Sequence, residues 1–136
     1  MKIRRIAPLV LALTVLVGCG DDPVTVTMEE VTGSYVLTEL QTTQGTTTRD
    51  LIAEGVTGNI TLLADGTTTG SLFIPASVNI DGEDINADLA GTWELNGDKI
   101  DFMHPEDTFI ADVEWTYAND TISVDAGWIA AVLDRQ

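Results

Sequence analysis

Three sets of residues in this 136-residue chain are of types that can do chemistry. The first is His104, the only histidine, followed by Pro105-Glu106-Asp107. An imidazole beside carboxylates is the material of a metal site or of a general-base pair. Zinc needs three or four converging ligands, and a serine triad needs a nucleophile beside an oriented histidine; neither motif is present, so a polar loop accounts for the segment. The second set is Asp84-Ile85-Asn86-Ala87-Asp88, with oxygens at alternate positions as at the start of a calcium loop. Leu89 stands where that loop needs glycine and Leu95 where it needs glutamate, which leaves only a loose cation site as the weaker alternative. The third set is aromatic: Tyr35, Trp93, Phe102 and Trp115, whose rings either fill a core or wall an apolar ligand pocket. No combination of these amounts to a catalytic site, so the expectation is a non-enzyme with no cofactor and no resident metal.

The one cysteine is placed by what precedes it. Met1-Lys2-Ile3-Arg4-Arg5 is basic, and the run from Ile6 to Val17 is apolar except for Thr14 and the helix-breaking Pro8. That layout is a secretion signal, and its apolar run is too short for the roughly 20 residues of a bilayer span. Removal of residues 1–18 leaves 118 residues with three basic side chains, Arg49, Lys99 and Arg135, against 22 acidic ones, a formal charge of −19. Such a surface repels phosphate backbones and excludes nucleic acid as a partner. It also disfavours adsorption to anionic lipid, so a covalent tether is the more plausible membrane link. With one cysteine, the fold depends on its core rather than on disulfides.

The side-chain rhythm after residue 30 specifies the elements that must hold the aromatic set. Gly91 to Phe102 alternates in and out about Asn96-Gly97, a hairpin signature. Residues Gly58 to Leu62 form a strand, Ala64-Asp65-Gly66-Thr67 a turn, and Thr67 to Ile74 a second strand that Pro75 stops. Phe109 to Tyr117 alternates and leads through Asn119-Asp120 into Ile122 to Asp125, and Trp128 to Leu133 reads as a closing strand. Gln41 to Thr48 reads as an exposed loop, Arg49 to Glu54 as one helical turn, and Asp81-Gly82 as a hairpin turn flanked by Ile80 and Ile85. About eight short strands leave exposed edges unless the sheet closes, which predicts an all-β, small antiparallel barrel; a β-sandwich fits the same pattern. The divisions expected are 1–18 signal peptide, 19–30 tether and 31–136 β domain.

Leu16-Val17-Gly18-Cys19 resembles the lipobox of bacterial lipoproteins. The resemblance implies cleavage before Cys19, a diacylglycerol thioether on its sulfur and acylation of the new amino terminus, hence a protein anchored at the bacterial cell envelope. Gly20 at the second mature position leans toward the outer membrane in a cell that has one. The alternative is an ordinary secretory signal with Cys19 incidental. Gly33-Ser34-Tyr35-Val36-Leu37, echoed by Gly91-Thr92-Trp93-Glu94-Leu95, together with the Asp-Gly and Asn-Gly turns, resembles small lipocalin-like domains of such lipoproteins. That likeness implies a binding module for a small hydrophobic or amphipathic ligand, with Tyr35, Trp93, Phe102 and Trp115 lining its cavity. The competing expectation is a solid domain acting on a protein partner through its acidic surface.

Overall fold

The computed structural model describes residues 25–136; the expected signal peptide, Cys19 and the first part of the tether lie outside them. The described chain is all-β apart from two single helical turns, α1 (Met28–Val31) and α2 (Phe109–Asp112). Its strands are β1 (Gly33–Gln44), β2 (Thr47–Asp50), β3 (Thr57–Leu62), β4 (Thr67–Ile74), β5 (Ile85–Asp88), β6 (Gly91–Asn96), β7 (Lys99–Met103), β8 (Trp115–Ala118), β9 (Thr121–Asp125) and β10 (Ile129–Arg135).

Eight of these strands run β1-β3-β4-β6-β7-β8-β9-β10 in antiparallel neighbours, and β10 returns to pair with β1 from Tyr35↔Arg135 to Thr42↔Ile129. The sheet is therefore a closed barrel rather than a sandwich, and closure removes the two edges an open sheet would expose. Strands β2 and β5 are additions at one end. β2 pairs with the far half of β1, and β5 pairs with the far half of β4. Thr68↔Gly91 and Ser71↔Asp88 belong to one register, so β5 and β6 behave as a single strand interrupted at Leu89-Ala90.

Turn chemistry sets the hairpins. Asn119 and Asp120 both have positive φ, 51° and 62°, between Ala118 and Thr121, the two-residue arrangement that matches strand twist. At the β6–β7 hairpin Asn96 pairs with Lys99, so the loop is Gly97-Asp98 rather than Asn96-Gly97, with positive φ at Gly97 alone. β1 carries a bulge: Leu37 pairs with Leu133 and Glu39 with Val132, leaving Thr38 as an extra residue. The extra residue shifts the alternation by one, so Tyr35, Leu37 and then Leu40 are buried while Glu39 points out.

Three local expectations change. Phe109 to Asp112 is a helical turn, and the strand begins only at Trp115, because Ile110 packs into the core and its carbonyl receives the Trp115 indole N–H at 2.9 Å. The stretch expected as loop, Gln41 to Thr48, instead holds the end of β1 and the start of β2, β2 runs on through Asp50 into the expected helical turn, and 51–55 is a set of turns. Val26 to Glu30, within the stretch expected as tether, pack with the domain that Val31 begins: Val26 lies on the core, and Thr27 and Glu30 close a capping box around α1.

One end of the barrel, the start of β1, is closed by α1. Tyr35 Oη donates to the Val31 carbonyl at 2.6 Å, Tyr117 Oη donates to the Glu30 carbonyl at 3.2 Å, and Arg135 donates to the carbonyls of Thr32 and Glu30. The two glycines of the repeated motif are required by close approach. A Cβ at Gly33, where φ is 152°, would meet the Arg135 guanidinium, and one at Gly91 would meet the Met103 carbonyl and His104. The opposite end carries β2, β5, α2 and the longer connections, and it is where any access to the interior lies.

Candidate site at the barrel mouth

The four aromatic residues singled out in the sequence lie together in the core. Tyr35, Trp93, Phe102 and Trp115 are each at most 2% exposed. Phe102 meets Trp115 edge-on at 6.1 Å between ring centroids. Each polar handle is tied to a connection: Trp93 Nε1 donates to the Leu63 carbonyl at 2.9 Å, as Trp115 does to Ile110 and Tyr35 to Val31. These rings peg three connections onto the barrel while filling it. Burial also pushes the Tyr35 phenol up to about 12, against the opposing pull of Arg135.

Above this layer the mouth is not filled. A recess of about 230 Å³ opens there, with the buried side chains of Leu40, Val56 and Ile129 as its floor. Leu51, Val78, Ile80, Ile85, Phe109 and Trp128 form its wall and rim. Phe109 lines the recess and leans on Trp115, at 6.5 Å between centroids. Ile80 is 98% exposed and Trp128 51%, although both belong to residue types that folding normally removes from water. A groove of about 380 Å³, of mixed lining, continues outward past Leu51, Val78 and Trp128 to Thr42, Thr43, Gln44 and Arg49. Two hollows larger than either lie elsewhere, one of them across the outer face of the sheet by Glu39, Lys99 and Asp125. The other surrounds the Arg135–Asp120 ion pair at the closed end, so neither opens on the mouth.

The sequence placed Ile80 beside a turn and Trp128 in a strand without marking either as a site. A partial signal was there: Ile80 sits in the turn-forming Asn79-Ile80-Asp81-Gly82, and Trp128 follows the turn-forming Ala126-Gly127. An apolar residue in a polar turn has nothing local to pack against.

His104 sits beside the mouth, at the start of the connection that carries α2. Its Nε2 and the Thr108 hydroxyl are 2.8 Å apart, and its Nδ1 is buried without a partner. Burial lowers its pKa, with Glu106 pulling the other way, so the neutral ring is favoured. Among the described residues no three His, Cys, Asp or Glu side chains converge as a metal-binding group. The Asp84 carboxylate instead accepts the Ala76 N–H at 2.7 Å, tying the two ends of the 75–84 connection, and Asp88 accepts that of Ala90 at 2.9 Å in a local turn. No family model matches the chain, and no curated protein or solved structure matches it.

Proposed function

We propose that this chain is an envelope lipoprotein, tethered through acylated Cys19, whose lipocalin-like barrel binds a small apolar or amphipathic molecule at its mouth without chemically changing it. The observation that carries the binding reading is the rim. An apolar recess with a fully exposed isoleucine and a half-exposed tryptophan retains a hydrophobic drive that folding has left unused. At about 230 Å³ it is smaller than the roughly 300 Å³ and above of sites for drug-sized ligands, so the fit is to a short chain or a single ring. The aromatic set expected to line a cavity supports the site from beneath, holding Phe109 through Trp115. The signal, lipobox and strongly acidic mature chain support the anchoring.

Two experiments test this. Trp128 is the most exposed of the three indoles, so its emission should shift and saturate on titration with an uncharged amphiphile such as octanol, and the response should vanish in Trp128→Phe. Flat titrations with octanol and with an uncharged aromatic dye end the binding reading. Expression of the full chain in a lipoprotein-processing bacterium should yield a membrane-bound product whose first residue is a lipidated Cys19. Soluble product with a free thiol ends the anchoring one.

A further inference from the structure

The connections at the two ends of the barrel differ in charge. At the mouth, segments 51–56, 75–84, 104–114 and 126–128 together carry eight carboxylates and no lysine or arginine, whereas the closed end carries five, Asp65, Asp98 and Asp120 in its turns and Glu29 and Glu30 in α1. Lys99 and Arg135 pair with Asp98 and Asp120, at the closed end. The mouth has one guanidinium within reach, Arg49, and it is already engaged by both oxygens of Glu54, at 3.2 Å from Nε and 2.5 Å from Nη2. Among the described residues no ion pair is made by Asp50, Asp81, Glu83 or Asp84.

These unpaired carboxylates are not scattered. Asp81 follows Ile80, Asp84 precedes Ile85 and Asp50 precedes Leu51, and all three apolar partners line the recess. Neighbouring Cα atoms are about 3.8 Å apart, inside the roughly 8 Å over which charges act at physiological salt. The recess itself is apolar and presents two aromatic side chains, Phe109 and Trp128. An indole at the rim of an apolar hollow, with Asp50, Asp81 and Asp84 next in sequence to residues that line it, has a composition that attracts an organic cation: ring quadrupole, carboxylate field and room for an alkyl chain.

We infer that the mouth selects amphiphiles by the sign of their head group, taking a short apolar chain with a cationic head and rejecting the same chain headed by a carboxylate. The chain occupies the recess, and the head stays at the rim beside Trp128 and the 80–85 segment. If a methylene fills about the space of a water molecule, roughly 30 Å³, the recess admits a chain of about eight atoms. A fatty-acid head would meet the rim carboxylates, and the only guanidinium at hand would have to leave Glu54 to receive it.

This inference rests on the recess being a ligand site, and the test separates the two. The protein is titrated with octyltrimethylammonium, octanol and octanoate, reading heat by calorimetry in parent and variants and Trp128 emission in the parent, with tetramethylammonium as a control for counterion binding. The expected order is the cation tightest, about tenfold over octanoate in low salt, the alcohol between them, and convergence near 1 M NaCl, where screening leaves only a few ångström of reach. Tetramethylammonium should leave the emission unchanged, and Trp128→Ala should weaken the octyl cation. Octanoate binding as tightly as the cation, with octanol also bound, overturns the charge selection and leaves the ligand site standing. No response to any of the three octyl compounds overturns both. Cation binding that survives Trp128→Ala unchanged places it on the acidic surface and overturns the inference as well.

Discussion

The Arg135 guanidinium lies over the ring of Tyr35, 5.1 Å from its centroid, joining the end of the last strand to the start of the first. From that position Arg135 donates to the Thr32 carbonyl at 2.7 Å, to the Glu30 carbonyl and to the Asp120 carboxylate at 2.9 Å. One side chain thus closes the barrel seam and fastens α1 across its end. Arg135→Met keeps the apolar stem over Tyr35 but leaves two backbone carbonyls without their donor. A loss of about 2 kcal/mol is expected from removing charge-assisted hydrogen bonds of this kind. Denaturant titration with an unchanged slope checks it. Arg135→Lys should recover only part, because an ammonium cannot reproduce the planar fork.

Tyr35 makes the closed end sensitive to base. Its phenol is pushed up to about 12 by burial, from an unfolded value of 10.0. The protonated ring is therefore favoured by the fold, and its contribution is complete below pH 10 and lost as pH rises through about 12. Tyr35→Phe removes this loss along with the bond to Val31. The variant should be about 1 kcal/mol less stable at pH 7, with a shallower fall in stability on the alkaline side when the two are compared by thermal melting across pH.

His104 acts in the opposite direction. Its pKa is lowered, chiefly by burial, so the fold favours the neutral ring. The associated stability is present above the ordinary value of 6.5 and drains away as pH falls through the lower folded value. In the charged ring both nitrogens carry protons, and Nδ1 has no acceptor for its own. His104→Gln should melt less steeply with acidification than the parent between pH 7 and 5. Equal slopes for the two proteins would remove His104 from the acid response.

The barrel was legible where one face of each strand is wet and the other dry. Thr67 to Ile74 emerges as β4 with the bounds that its turn and Pro75 imply, and the closing strand lies where the apolar run ends the chain. Counting strands favoured closure, since so many short ones leave edges unless joined, but a sandwich fitted the same count, and the β10–β1 pairing decides between them. The Thr38 bulge was hidden because strict alternation would have buried Glu39; only pairing with β10 shows the extra residue. Phe109 to Val113 alternates like a strand yet forms a helical turn, since a tertiary bond from Trp115 and burial of Ile110 decide the conformation. The aromatic residues were legible as core. The mouth was not, because its members come from five separate connections and strand ends, and sequence periodicity carries no information on which loops meet.

Gly91 tests the close packing behind the repeated glycine-x-aromatic motif. A methyl group there meets the Met103 carbonyl and the His104 backbone, neither of which is a flexible chain end. Gly91→Ala is expected to cost about 1 to 3 kcal/mol, the range of overpacked sites. Gly97→Ala meets no atom within 4 Å but must hold φ at 65°, so its cost should be about 1 kcal/mol and arise from the backbone alone. Denaturation midpoints for the two variants separate contact from conformation.

Trp115 and Trp128 separate support from contact in the same way. Trp115 is fully buried between Phe102 and Phe109 and anchors Ile110, so Trp115→Ala opens a cavity and releases α2, at a cost of about 3 to 5 kcal/mol. Trp128 is half exposed and stands at the rim, so its replacement by alanine should move stability by no more than about 0.5 kcal/mol. Ligand response should divide the other way. Trp128→Ala loses affinity in a folded protein, while Trp115→Phe, which keeps most of the volume beneath Phe109, retains affinity with a modest loss of stability. If Trp115→Phe abolished binding and Trp128→Ala did not, the ligand would reside among the core aromatics, and the recess would be only the way in.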